Sequence, residues 1–228
     1  GSTMSAASNA TLRPLIGRVL ARLGASEIMV SNYSRGEKLL KEGSLVTTQD
    51  GERAFALAYL GLMAGERSEL ALARSQLNES LAISRQSDDT AGMARALFYL
   101  QYGESDYAEG LRLCTECLAL AHKIGRPDLI AGQLNQMGWH KWCLGDYAGA
   151  DVCWREGLAL CEQLELQTEK AWVLDCQGVG AWSQGDLAAA ESHIESALAL
   201  YSELGRRMAM GMCMADLTLV LVSRGDVE

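Results

Sequence analysis

The sequence has little of several residue types that mark other classes of protein. Only 2 of its 228 residues are proline, and no Pro- or Ser-rich stretch has the composition of a linker. Lys and Arg number 20 against 29 Asp and Glu, which gives a formal net charge of -9. That balance repels a phosphate backbone, so we expect no direct contact with nucleic acid. No apolar run reaches the ~18–20 residues that span a bilayer, and none has the pattern of a signal peptide, so we expect no membrane partner.

Motifs for catalysis are also missing from the sequence. Serines do not occur in a Gly-x-Ser-x-Gly context, and there is no Gly-x-x-x-x-Gly-Lys phosphate loop. His122, His140 and His193 are scattered, and we expect each at a surface or groove position on its helix. The sequence therefore predicts no enzymatic activity, no cofactor and no metal site.

An internal repeat dominates what the sequence does contain. Segments 105–120, 145–160 and 185–200 align at a spacing of 40 residues without a gap. Each begins with Gly or Ser followed by Asp, and each ends with Leu-Ala-Leu. Segment 68–83 is a further copy at a spacing of 37, and segment 32–43 is a weaker first copy. Five copies therefore fit between about residues 12 and 204.

Within each copy the apolar residues have the spacing of helices. Trp172, Cys176 and Val179 recur at intervals of three or four, as do Ile194, Ala197 and Tyr201. The Gly-Asp pair between two helices of a copy supplies a turn, and its Asp can cap the second helix. The sequence thus predicts an all-α fold, a right-handed superhelix of about five helical hairpins followed by an unpaired helix.

We place a cloning scar, Gly1-Ser2-Thr3, and a flexible N-terminus in residues 1–11, and a single repeat domain in residues 12–228. The expected elements are hairpins at about 12–48, 52–87, 90–124, 127–164 and 167–204, and a final helix at 206–224.

The pattern from Gly138 through Trp154 to Gly157, and its copy from Gly178 through Ile194 to Ala197, resembles the tetratricopeptide repeat signature. In that family a small residue on the first helix of a hairpin, helix A, packs against a small residue on the second, helix B, because helix axes approach to ~8 Å only where side chains are small. The resemblance implies this role for Gly24, Gly61, Gly138 and Gly178 on helices A, and for Gly36, Ala73, Gly110, Ala150 and Ala190 on helices B. The third copy departs from the pattern, with Gln101 at the helix A position, so we expect an irregular hairpin there.

The family's ordinary repeat has ~34 residues, whereas most copies here have 40. This longer form resembles the repeats of large bacterial signal-transduction ATPases that regulate transcription, such as the sensor region of the maltose-regulon activator. The resemblance implies a regulatory binding module of a larger bacterial protein.

The last helix lacks a following helix B. Residues 206–224 carry Met and Leu at many positions, and a solenoid normally ends in a polar capping helix. We therefore expect either a chain excised from a longer protein, or self-association through this exposed C-terminal helix.

Cysteine occurs seven times, inside helical patterns, which predicts buried thiols in a reducing cytoplasm rather than disulfides. Cys114-x-x-Cys117 has the spacing of a zinc or redox motif. The repeat alignment places these two residues at the core positions of Trp154 and Gly157, and no second pair lies at structural-zinc spacing. We interpret both as core residues.

Aromatic and polar residues on helices A are the candidate site. In the resembling family these helices line a concave groove, and tryptophan is enriched at recognition surfaces. The alternative is that the rings only fill space between hairpins, and the sequence leaves both interpretations open. The candidate groove residues are Arg95, Phe98, Tyr102, Asn135, Trp139, Trp142, Trp172, Asp175 and Trp182.

We expect this groove to bind a protein, an extended peptide or a small effector, in the sensor or interaction segment of a cytoplasmic signalling or transcription-regulating protein. The alternative function is a purely structural scaffold or self-association module without a groove ligand.

Overall fold

The structure, a computed structural model, describes residues 2–29, 32–47 and 49–225. Over these ranges it contains eleven α-helices, one 3-10 turn and no strand, which confirms the predicted all-α class. The helices are α1 (Ser2–Met29), α2 (Tyr33–Val46), α3 (Asp50–Glu66), α4 (Leu70–Gln86), α5 (Thr90–Leu100), α6 (Tyr107–Ile124), α7 (Pro127–Cys143), α8 (Tyr147–Gln163), α9 (Gln167–Ser183), α10 (Leu187–Glu203) and α11 (Arg207–Arg224).

Two structural features bear on the organisation of the chain. The first helix extends from Ser2 to Met29. The helices group into two compact units, Gly1–Ser105 and Asp106–Glu228, and the single repeat domain expected at residues 12–228 stays a prediction.

The first unit contains α1 to α5. Helices α1 and α2 approach closely at two glycines, because a Cβ on Gly24 would lie 2.9 Å from the Gly36 carbonyl oxygen. The pair buries Ala21 and Leu40, which join Phe55 of α3 in one apolar cluster. A 3-10 turn, Gln101–Gly103, follows the short helix α5. Gln101 is buried and its Nε2 donates to the Phe98 carbonyl oxygen over 3.0 Å, so the irregular residue of the third copy marks the end of that helix.

The second unit contains α6 to α11, and its turns follow from the Gly-Asp pairs. Gly145 has a φ of 83° and Gly185 a φ of 81°, in the left-handed region that a residue without a Cβ adopts without strain. The next residue then caps the following helix. Asp146 Oδ1 accepts from the Gly149 amide over 2.9 Å, and Asp186 Oδ1 accepts from the Ala189 amide over 3.0 Å.

Small residues let the helices of each hairpin in the second unit come together. A Cβ on Gly178 would overlap Ile194 Cγ1 and lie 3.1 Å from the Ala190 carbonyl oxygen. The same addition at Gly138 would overlap the ring of Trp154. These contacts bury Ile194 and Trp154 almost completely, so the core of this unit lies between helices A and B.

The final helix α11 is only half covered. Cys213 and Val220 are buried against α9 and α10, whereas five other apolar side chains of this helix are about half exposed or more. That exposed set consists of Met208, Met212, Met214, Leu219 and Val222. Among the described helices, none combines the length and the hydrophobicity needed to cross a membrane.

Candidate ligand-binding face

Helices A of the second unit, α7, α9 and α11, are joined by a repeated hydrogen bond. Trp142 Nε1 donates to Ser183 Oγ over 2.9 Å, and 40 residues later Trp182 Nε1 donates to Ser223 Oγ over 2.8 Å. Each serine hydroxyl in turn donates to a carbonyl of its own helix, over 2.7 Å in both cases. These two hydrogen bonds therefore connect α7 to α9 and α9 to α11.

Four tryptophan rings lie half-buried on α7 and α9. The Trp139 and Trp142 rings stack with centroids 5.1 Å apart and planes inclined by 31°. With Trp172 they pack on a buried cluster that contains Trp154 and Cys176, and Trp182 packs on the cluster around Ile194. Each ring thus contributes to packing and keeps part of its surface open to a ligand. We call this surface, formed by Trp139, Trp142, Trp172 and Trp182, the tryptophan face.

The indole N–H of Trp139 differs from those of its neighbours. The N–H groups of Trp142 and Trp182 are bound to serines, and Trp154 Nε1 donates to the Asn135 carbonyl oxygen over 3.2 Å. No hydrogen bond occupies the Trp139 N–H among the described residues. Because tryptophan presents a flat apolar surface and one strong donor, Trp139 can offer both to a peptide.

Asn135 and Asp175 lie beneath the tryptophan face rather than at its surface. Asn135 is 1% exposed, and its side-chain amide lies beside the Cys176 thiol. Asp175 is 8% exposed, and its Oδ1 accepts from Cys213 Sγ over 3.2 Å. Burial, with a smaller contribution from the charge of Asp216, raises the pKa of Asp175 to about 6. Burial also raises the pKa of Asp216.

A small cleft opens between α9 and α11, with α10 behind it. Its volume is about 50 Å³, several times the roughly 10–15 Å³ that one water needs. Its lining is apolar except for one carboxylate, and consists of Val179, Trp182, Ile194, Asp216, Leu219 and Val220. Of the nine candidate groove residues, only Trp182 lines this cleft. Asp216 was not among the residues predicted from the sequence. The repeat alignment contained a signal for it, since this carboxylate occupies the position of the buried thiol Cys176 in the earlier copy.

The remaining candidate residues, Arg95, Phe98 and Tyr102, lie in the first unit on α5 and the turn after it. The Arg95 guanidinium lies 4.6 Å from the centroid of the Phe55 ring, and burial lowers its pKa. Phe98 and Tyr102 meet edge to face at 5.4 Å, and Tyr102 is half exposed. Arg95 therefore contacts Phe55, whereas Phe98 and Tyr102 contact each other.

The structure corrects the expectation for His140. Its ring is 2% exposed and fills the space beside Gly110, where a Cβ would overlap it, so this histidine is a core residue and not a surface one. Cys114 and Cys117 are both fully buried, and burial raises the pKa of both thiols, that of Cys117 to about 12. Within the described ranges no three His, Cys, Asp or Glu side chains are grouped so as to hold a metal ion.

Comparison with known proteins finds similar folds among solved structures and no match by sequence. No family model and no curated protein sequence matches the chain. A signal-transduction ATPase with a tetratricopeptide repeat sensor from Pyrococcus horikoshii superposes with a TM-score of 0.69 at 16% identity, covering 89% of this chain and 32% of the other.

A Rap protein complexed with competence and sporulation factor gives a TM-score of 0.74 at 16% identity and coverages of 90% and 64%. Aspartyl phosphate phosphatase F of Bacillus subtilis gives 0.69 at 12% identity, with coverages of 96% and 60%. The chain therefore spans less than two thirds of the length of each of these proteins. At such identities the likeness concerns the fold, and the fold is the tetratricopeptide-like helical repeat.

Proposed function

We propose that this chain is a binding module whose tryptophan face receives an extended peptide segment of a partner protein. The observation that carries the proposal is the set of four half-buried tryptophans on adjacent helices A, one of which, Trp139, donates no hydrogen bond to another described residue. Tryptophan is one of the residue types enriched where protein interfaces gain their binding energy. An extended peptide suits this face because its side chains can lie along the row of rings while one of its carbonyls accepts from the Trp139 N–H.

A peptide fits the geometry better than a small effector does. The cleft beside the tryptophan face holds a group of a few atoms, and a sugar or nucleotide needs a larger enclosed site. A peptide uses the open rings for most of its contact and the cleft for one side chain. The solved Rap complex is an example of this fold with a bound factor.

We place the module in a larger bacterial signalling or transcription-regulating protein. The 40-residue repeat and the structural likeness to a sensor of a signal-transduction ATPase support this role. The seven cysteines are all free, and six of them are buried, which suits a reducing compartment such as the cytoplasm.

The test is selection from a phage-displayed library of random dodecapeptides, followed by calorimetry with the enriched sequences. Trp139→Ala should weaken their binding by at least about tenfold, since removing a central interface tryptophan costs about 2 kcal/mol or more. Trp139→Phe should recover part of the affinity, because it restores the ring without the N–H. Leu45→Ala is the matched control, as it removes an apolar side chain that is 85% exposed on α2. Absence of enrichment, or equal affinity for Trp139→Ala and wild type, would refute the proposal.

A second candidate function is self-association through α11, and the exposed Met212 and Leu219 side chains favour it. A row of half-exposed apolar residues on one helix is a frequent feature of interfaces between protein chains. Under this alternative, Met212→Glu should reduce the mass measured by light scattering at concentrations where the wild-type protein is a dimer. A wild-type protein that stays monomeric at about 100 μM would exclude an affinity in the usual range of stable homodimers.

A further inference from the structure

The cleft between α9 and α11 exists because two large residues of one repeat are replaced in the next. Each of its lining residues has a counterpart 40 positions earlier in the sequence. Val179 corresponds to Trp139, and Ile194 corresponds to Trp154. In the earlier copy the space is filled, since a Cβ on Gly180 would lie 2.7 Å from Trp154 Cζ3. The two smaller side chains leave that volume open, and Val220 in the place of Gly180 refills only part of it.

The third replacement introduces a charge. Asp216 in the cleft corresponds to Cys176, a buried thiol of the earlier copy. No Lys or Arg contributes to the titration of Asp216 or of Asp175, so neither carboxylate has a cationic partner among the described residues. The two carboxylates are close enough that the charge of Asp216 raises the pKa of Asp175. Asp216 lines the largely apolar cleft and Asp175 lies near it, so the negative charge of Asp216, without a cationic partner among the described residues, makes the cleft attractive to a cation.

The walls of the cleft add a preference for the form of that cation. The ring of Trp182 lines one side, and the faces of tryptophan rings attract ammonium and guanidinium groups. Val179, Ile194 and Leu219 supply apolar contact for a hydrocarbon chain. An arginine or lysine side chain has both parts, because its methylene stem buries against apolar surface while its head pairs with a carboxylate.

We propose that the cleft binds the cationic side chain, arginine or lysine, of a peptide lying on the tryptophan face, with Asp216 as the pairing carboxylate. This inference rests on the proposed function for the peptide, whereas the cleft itself can be tested with a free cation. Val179, Ile194 and Asp216 determine its specificity, since their counterparts in the earlier repeat leave neither the space nor the charge.

The chain offers a direct probe of the cleft. It contains six isoleucines, and only Ile194 lines this space. Methyl NMR of protein labelled at isoleucine δ1 therefore reports on the cleft through one signal. In a titration with n-propylguanidinium, the Ile194 signal should shift and saturate. The neutral isostere N-propylurea should move it much less, because the pairing with Asp216 is absent.

Two variants and one control make the test specific. Asp216→Asn keeps the shape of the side chain and should weaken propylguanidinium binding by about tenfold or more. Val179→Trp restores the residue of the earlier repeat and should abolish the response by filling the space. Asp151→Asn removes the same charge from an exposed site on α8 that pairs with Arg155, and should leave the response unchanged. An Ile194 shift of equal size with N-propylurea, or one retained in Asp216→Asn, would overturn the proposal.

The source of the cation is decided with Gly-Gly-Arg-Gly-Gly and its norleucine counterpart, both with blocked ends. The arginine peptide should shift Ile194 and bind more tightly than propylguanidinium. If propylguanidinium binds and the arginine peptide does not, the proposal that the cation is a peptide side chain is wrong. If selected dodecapeptides depend on Trp139 but not on Asp216, the cleft proposal fails while the proposed function stands.

Discussion

Asn in place of Asp175 should make the second unit more stable at neutral pH. The carboxyl group is 8% exposed, and burial together with the charge of Asp216 raises its pKa from an ordinary 3.8 to about 6. One unit of pKa difference between the folded and unfolded states corresponds to about 1.4 kcal/mol. The ionised carboxylate therefore destabilises the fold by about 2–3 kcal/mol above pH 6. Asparagine carries no charge, and its side-chain oxygen can still accept from the Cys213 thiol.

The sign of the pH dependence follows from which state binds the proton. The pKa of Asp175 is higher in the folded state, so between pH 3.8 and about 6 the folded protein holds a proton that the unfolded chain has lost. The contribution to stability is full below pH 3.8 and is lost as the pH rises through 6. Asp175→Asn removes this dependence. The difference between variant and wild type should be near zero at pH 4 and reach about 2–3 kcal/mol at pH 8.

Urea unfolding followed by tryptophan fluorescence measures this difference in unfolding free energy for the second unit, which contains Asp175. All five tryptophans lie between residues 139 and 182, inside the second unit. Asp216→Asn provides an internal check, because it removes the like charge and should move the wild-type transition toward lower pH. Asp151→Asn should leave the pH profile unchanged. A free-energy difference for Asp175→Asn that is the same at pH 4.5 and pH 8 would refute the assignment of a raised pKa to this carboxyl group.

Three further predictions concern packing and thiol access. Gly178→Ala should lower the free energy of unfolding by about 1–3 kcal/mol, because the added Cβ overpacks against α10. Gly211→Ala in α11, where a Cβ meets nothing within 4 Å, should raise it by up to about 1 kcal/mol. Equal effects of the two variants would contradict the close approach at Gly178. A double-mutant cycle of Trp142→Phe and Ser183→Ala, measured by urea unfolding, should give a coupling of about 0.5–1.5 kcal/mol, and a coupling near zero would contradict the hydrogen bond. With Ellman's reagent the half-buried Cys143 should react first and the other thiols only on unfolding, so several fast thiols in the folded protein would contradict their burial.

The fold could be predicted from the sequence because its determinants are local and repeated. Each Gly-Asp pair specifies a turn and a helix cap, and the observed N-caps at Asp146 and Asp186 use the expected carboxylates. Helical spacing of apolar residues then fixes which side of each helix is buried. The departure at Gln101 was also visible, since it breaks the small-residue pattern where α5 ends.

The candidate site was harder to predict because exposure depends on neighbouring helices. Asn135 and Asp175 occupy the same repeat position as each other and look like surface polar residues, yet the adjacent helices bury both. His140 is buried because Gly110 makes room for its ring. Whether a tryptophan lines a groove or fastens two helices depends on the partner of its N–H, and Ser183 lies 41 residues from Trp142 in the sequence.

The repeat itself gives a way to separate residues of the fold from residues of a site. Positions that every copy fills in the same way, such as the small residue on each helix B, Ala190 on α10, are required by helix packing and carry no information on a ligand. The cleft lies where consecutive copies differ, with Val179 and Ile194 in place of tryptophans and Asp216 in place of a thiol. None of the three replacements improves packing, since two remove volume and one brings a carboxylate to an apolar wall. Binding of a cation offsets that cost, because it fills the space and pairs the charge. This is why we place specificity in the cleft and general affinity in the tryptophan face beside it.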